Sequence, residues 1–204
     1  MTARYALYFA PPRASRWGEF GARWLAQDTA AVRAPRRYGF HATLKAPFRL
    51  AVGASVARLI GELDSDCRML SPFVFGPLVP DHLGDFVALV SPAPDPRLDA
   101  IAEHCVTRFD GLRAPLENAE LAQRRRRGLD AKEEELLARW GYPYVLERYR
   151  FHMSLTGPGF SAHVPDVPNE PLLFDSICVF EEPSPGANFR EMHRSPFAGI
   201  VPPA

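Results

Sequence analysis

The sequence predicts an α+β fold: a bilobal, pseudo-twofold duplicated architecture in which two antiparallel sheets form a central cleft with helices outside. Three observations carry this. The octets YGFHATLK (38–45) and YRFHMSLT (149–156) share the pattern Tyr-x-Phe-His-x-(Thr/Ser)-Leu, with His41 and His152 111 positions apart. Each octet closes a similar run of strand, helix and histidine strand. The 204 residues are 47% apolar and show no interdomain linker, which fits one domain (1–204) made of two closely packed lobes.

Lobe one, about 1–70, opens with RYALYFA (4–10), which looks like a strand. A helix follows over 15–28, because Trp17, Phe20, Trp24 and Leu25 recur at helical spacing and share one side. The stretch 38–50 is strand-like, interrupted at Pro47, and a second helix is expected at about 54–66.

Lobe two, about 71–182, starts with a strand at 72–80 and another at 85–92. A helix is predicted over 95–110, with Asp95 as its N-cap and proline in the first turn. The second histidine strand spans 149–156, and a last strand spans 172–182. Between helix and histidine strand, lobe two carries an insertion, about 111–141, that lobe one lacks. It holds the run Arg124–Arg127 followed at once by Lys132, Glu133, Glu134 and Glu135. Two readings stay open for it: a solvated helical hairpin or flap near the cleft mouth, or a grip on an anionic ligand.

Strand parity sorts each octet into two faces. Tyr38, Phe40, Ala42 and Leu44 share an apolar face, as do Tyr149, Phe151, Met153 and Leu155. The opposite faces carry His41, Thr43 and Lys45 in the first strand, and Arg150, His152, Ser154 and Thr156 in the second. Each polar face thus brings an imidazole, a hydroxyl and a cation. Of the fifteen possible pairs among six histidines, only His41 and His152 share these flanks; His82, His104, His163 and His193 read as structural.

Two imidazoles across a cleft suit proton transfer in both directions at near-neutral pH, one accepting from water and the other donating to a leaving oxygen. Hydroxyls two residues on can donate to the oxygens of a tetrahedral anion, and cations can meet its charge. The candidate catalytic residues are therefore His41, Thr43, His152 and Ser154. Lys45, Arg150, Thr156 and Tyr8 are the candidates for holding substrate.

Composition narrows the partners. Lys+Arg and Asp+Glu each total 24, so the net charge is zero and long nucleic acid is not the expected ligand. Three widely spaced cysteines form no ligand cluster, so neither a disulfide scaffold nor a metal site is expected. No cofactor is implied. The beginning of the chain lacks the apolar run of a signal peptide, and no segment reaches transmembrane length, so a cytoplasmic protein with no membrane partner is expected.

The paired segments HATL (41–44) and HMSL (152–155) resemble the motifs of the 2H phosphoesterase superfamily, over about residues 4–182. The longer stretches YGFHATLKAPF and WGYPYVLERYRFHMSLTG (140–157) are most similar to its bacterial branch associated with phosphonate metabolism. The resemblance implies a bilobal fold with the motifs on facing strands and metal-independent hydrolysis of a small cyclic phosphate, such as a ribosyl cyclic phosphate. RNA end-processing or 2′,3′-cyclic nucleotide hydrolysis is the alternative chemistry. A phosphate-binding module without turnover is the alternative class.

Overall fold

Alternation along the first strand already divides the molecule into a core side and a cleft side. The computed structural model describes residues 3–126 and 128–199. In β1 (Arg4–Phe9), Tyr5, Leu7 and Phe9 enter the main core, while Ala6 and Tyr8 join a smaller apolar cluster on the opposite face.

The first run continues with α1 (Arg16–Ala26), capped by Ser15, whose hydroxyl accepts from the Gly18 N–H. Its apolar stripe of Trp17, Phe20, Trp24 and Leu25 is buried as the spacing predicts. A short α2 (Arg33–Tyr38) then leads into β2 (Ala42–Phe48), followed by α3 (Val56–Cys67). The second run comprises β3 (Phe73–Phe75), β4 (Val79–Leu83), β5 (Phe86–Val90) and α4 (Pro96–Arg108), the last capped by Asp95 as expected. The insertion forms a helical pair, α5 (Asn118–Arg125) and α6 (Ala131–Trp140). The chain closes with β6 (His152–Ser154), β7 (Leu172–Phe174), β8 (Ser176–Glu182) and β9 (Arg190–Pro196).

Among the described residues, two antiparallel sheets result, one of seven strands in the order β4-β5-β6-β2-β1-β8-β9 and one formed by β3 and β7. The order β5-β6-β2-β1 reads as a palindrome: β2 pairs with β1, the strand before α1, and β6 pairs with β5, the strand before α4, so the two histidine strands meet in the middle. That central seam is thin, a single register pair between Ala42 and Met153. The halves are also tied across the seam, since the Trp24 indole N–H in α1 donates to the Leu155 carbonyl at 2.7 Å. Gly21 in α1 has no side chain because the Phe40 ring fills that space; a Cβ there would sit 2.2 Å from it.

Several expected boundaries move, each for a local reason. Residues 38–41 are not strand: Tyr38 ends α2, Gly39 at φ 82°, in the left-handed region, turns the chain, and β2 begins at Ala42, directly after His41. The stretch 72–80 breaks into β3 and β4 at Gly76–Pro77, and 172–182 breaks at Asp175. The second histidine strand is only three residues long. β9 lies beyond the last expected strand; it is a charged edge strand, REMHRSP, with no apolar alternation to betray it.

Candidate active site

The Ala42–Met153 pair fixes the geometry of the site. Both side chains are fully buried on the core side. Their neighbours therefore point the other way: His41 stands opposite Ser154, and Thr43 opposite His152, all four on one face. The two histidines are diagonal neighbours, and such pairs stand about 7–8 Å apart, with their Cβ atoms somewhat closer. The face floors a cleft of about 780 Å³, lined by all four residues.

Each imidazole is held by the same device. The His41 Nδ1–H donates to the Gly39 carbonyl at 2.9 Å, and the His152 Nδ1–H donates to the Arg150 carbonyl at 2.8 Å. A carbonyl can only accept, so in both rings Nδ1 carries the proton and Nε2 is left with its lone pair. The Thr43 hydroxyl reaches His41 Nε2 at 3.2 Å. This positioning comes from main-chain carbonyls two residues upstream, at the "x" of Tyr-x-Phe-His, where side-chain identity differs and sequence reasoning finds no signal.

Both imidazoles resist protonation. Burial lowers His41 to about 4, against the favourable Gly39 carbonyl, and the nearby His152 adds to the lowering. Burial also lowers His152, with the Arg150 charge acting in the same direction. Tyr8 covers His41: the rings stack with centroids 3.8 Å apart and 29° between planes. Tyr8, itself buried, also pairs with Thr43 in the β1–β2 register and lines the cleft. Phe86 lies beside His152, tilted, with centroids 5.9 Å apart.

Two expected substrate-binding residues are placed elsewhere. Lys45 is 3% exposed and turned away from His41, and it does not line the cleft. The β1–β2 register explains this, because Tyr8 pairs with Thr43 but Leu7 pairs with Lys45, leaving Leu44 as an extra residue. That bulge inverts the alternation and sends Lys45 to the core side. There its ammonium donates to the Val106 carbonyl at 3.0 Å and lies 3.6 Å from Asp110, while burial lowers it to about 8.

Thr156 departs similarly. The N–H groups of Leu155 and Thr156 both converge on the Val87 carbonyl, another bulge, and Thr156 is 2% exposed. It borders the cleft, but its hydroxyl accepts from the Val87 N–H at 2.9 Å and donates to the Phe160 carbonyl at 3.0 Å. Arg150 stays at the cleft, exposed, with Asp81 at 3.1 Å.

The insertion supplies residues outside the expected set. Glu120, Gln123 and Arg124 lie on one face of α5 and line the cleft, as do Tyr142, Tyr144 and Arg148 beyond α6. Arg125 instead pairs with Glu134 on α6 at 2.9 Å. Arg126 is the exposed C-cap of α5, and Arg127 lies outside the described residues. The hairpin is thus a wall of the cleft, and only Arg124 of the described part of the run faces inward. Among the described residues, no group of three or more His, Cys, Asp or Glu gathers as a metal would require, and no helix is long and apolar enough to cross a membrane.

Comparison with known proteins agrees with this architecture. The fold matches E. coli LigT in complex with 3′-AMP, with a TM-score of 0.56 at 12% identity, covering 98% of this chain and 100% of that one. It also matches a crystal structure described as a phosphoesterase, with a TM-score of 0.54 at 13% identity, covering 96% and 99%. Two curated relatives named "Ribose 1,5-bisphosphate phosphokinase PhnN" are 40% identical in Janthinobacterium sp. (strain Marseille) and 37% identical in Laribacter hongkongensis (strain HLHK9). The matches cover 96% and 92% of this chain, which spans about half the length of those relatives (51% and 50%). Residues 43–190 match the family model "Protein of unknown function (DUF1045)". The chain belongs to that family, and its fold is that of the 2H phosphoesterases.

Proposed function

We propose that this chain is a phosphodiesterase that hydrolyses a small cyclic phosphate ester by two-histidine acid–base catalysis. The observation that carries the reading is the matched pair of imidazoles, each with Nδ1–H pinned to a carbonyl and Nε2 available on one face of the cleft.

In the scheme, a water oxygen attacks phosphorus while one Nε2 takes the water proton. The ring P–O bond breaks, and the Nε2–H of the other histidine, protonated at the start, gives its proton to the departing oxygen. The products are a phosphomonoester and a free hydroxyl, and proton exchange with solvent restores the pair. Thr43 and Ser154, which stand opposite the histidines, donate to the non-bridging oxygens. A bound phosphate raises both histidine pKa values by favouring the charged form, which offsets the lowering caused by burial. Every proton and charge is carried by the chain, so the scheme needs no metal.

A ribosyl cyclic phosphate in phosphonate catabolism is the substrate we favour. Its support is the name of the curated relatives, which refers to a ribose bisphosphate; the kinase activity in that name is said of those longer proteins. A 2′,3′-cyclic nucleotide is the second candidate, favoured by Phe86, Tyr142 and Tyr144 in the cleft, which offer rings on which a base can stack.

The test is a panel of ribosyl and nucleoside cyclic phosphates followed by phosphorus NMR in excess EDTA. A cyclic resonance converted to a monoester by the wild type, and not by His41→Ala or His152→Ala, is the expected result. Turnover that EDTA abolishes and a divalent ion restores would overturn the mechanism. No turnover on any member would leave the cleft as a phosphate-binding module.

A further inference from the structure

Among the described residues, four arginines line the cleft: Arg4, Arg124, Arg148 and Arg150. Three of them have carboxylate partners. Arg4 pairs with Glu182 at 2.5 Å, Arg148 with Asp130 at 2.6 Å and Arg150 with Asp81 at 3.1 Å. Among the described residues, no carboxylate forms an ion pair with Arg124. The nearby Glu120 is taken by Arg49 at 2.9 Å and by the Glu117 N–H, which closes the capping box of α5. Glu182, wholly buried, is shared by Arg4, Arg37 and the Gly186 N–H, so one carboxylate faces two guanidiniums.

Arg124 also stands in a particular setting. Burial disfavours its charge; Tyr142 and Glu120 favour it, and Arg4 opposes it. Its guanidinium lies over the Tyr142 ring, 5.1 Å from the centroid, and Tyr38 is within electrostatic range. An arginine does not give up its proton, so a partly desolvated one beside a second guanidinium is relieved by an anion. The hairpin that presents it is held at both histidine strands. Arg49, just past β2, grips Glu117 and Glu120, while Asp130 and Lys132 of the hairpin grip Arg148 and Glu147 ahead of β6.

We propose that Arg124 and Arg4, with the phenols of Tyr38 and Tyr142, form an anion subsite for a second, non-scissile phosphoryl group of the substrate. Arg4 and Tyr8 share one face of β1, four residues apart, which is about 13 Å of strand. Tyr8 stacks on His41, and the Arg4 charge acts on Tyr8. A phosphorylated sugar can therefore have its cyclic ester at the histidines and its other phosphate at the arginines. The inserted hairpin thereby becomes a specificity element. This assignment rests on the phosphodiesterase reading.

The test compares ribose 1,2-cyclic phosphate with its 5-phosphorylated counterpart, taking the ratio of kcat/KM in the wild type, Arg124→Gln and Arg125→Gln. The wild type should prefer the compound with two phosphates. Arg124→Gln should cut that preference about 10–100-fold, the scale of one charge-assisted hydrogen bond. Arg125→Gln, which loses only the Glu134 pair, should keep it. An undiminished preference in Arg124→Gln, or an equal loss in Arg125→Gln, would overturn the subsite. If the wild type hydrolyses neither compound, the subsite is judged by calorimetry with ribose 1,5-bisphosphate and ribose 1-phosphate, which lacks the 5-phosphate. Tighter binding of the bisphosphate, lost in Arg124→Gln, would uphold the subsite while the catalytic reading fell; equal affinities would overturn it.

Discussion

Tyr8 lies stacked on His41, ring centroids 3.8 Å apart, whereas Phe86 lies tilted beside His152 at 5.9 Å. His41 is thereby shielded from water and held to about 4, and the approach of His152 disfavours a second charge. In the apo protein, an NMR titration of His41 should find its midpoint well below the ordinary 6.5, and saturating inorganic phosphate should move it upward. For the same reason the optimum of kcat/KM, which reports the free enzyme, should lie at lower pH than that of kcat. A His41 midpoint at or above 6.5 without ligand would contradict the shielding.

Loss of either imidazole should be severe. His41→Ala or His152→Ala is expected to lower kcat by roughly 10²–10⁴, the range for a positioned proton-transfer group. The double variant should fall little further than the worse single one, because the pair acts as a unit. Thr43→Val and Ser154→Ala should cost about 10²–10³, as for one oxyanion donor. Steady-state kinetics on folded variants checks this; near wild-type turnover in either histidine variant would reduce the cleft to a binding site.

Lys45 should speak through stability. Burial lowers its folded pKa from 10.5 to about 8, so between these values the unfolded chain holds a proton that the folded chain has lost. Its contribution to stability therefore rises with pH across that window. Lys45→Met removes that contribution. Denaturant midpoints at pH 8 and 9.5 should show the wild type gaining relative to the variant. A variant whose chief defect is a raised KM would return Lys45 to the substrate.

Thr156→Val should also act on the fold. Its hydroxyl satisfies the Val87 N–H and the Phe160 carbonyl in a buried position, and losing it should cost about 1–3 kcal/mol. Urea unfolding measures this. Unchanged stability with a fall in kcat would mean that the hydroxyl meets the substrate.

The sequence by itself determined a good deal. Apolar spacing placed α1, and an N-cap aspartate with a first-turn proline placed α4, within a few residues; β1 and α3 also fall close to where they were expected. The doubled octet brought out His41, Thr43, His152 and Ser154, and simple parity put them on one side of their strands. That parity held because Ala42 and Met153, between them, are core residues.

The tertiary structure decided what lies beyond the reach of local pattern. Bulges at Leu44 and at Leu155–Thr156 inverted the alternation one residue later, so Lys45 and Thr156 left the polar face that an ideal strand would have given them. A bulge is set by pairing between distant strands, here β1 with β2 and β5 with β6, and no octet contains its partner. The carbonyls of Gly39 and Arg150 that fix the imidazoles belong to the main chain, which every residue possesses and no sequence pattern marks. Which described arginine of the inserted run faces the cleft depended on how α5 is set beside the cleft: Arg125 met Glu134 of α6, and Arg124, one residue earlier on the helix, was turned toward the histidines' cleft.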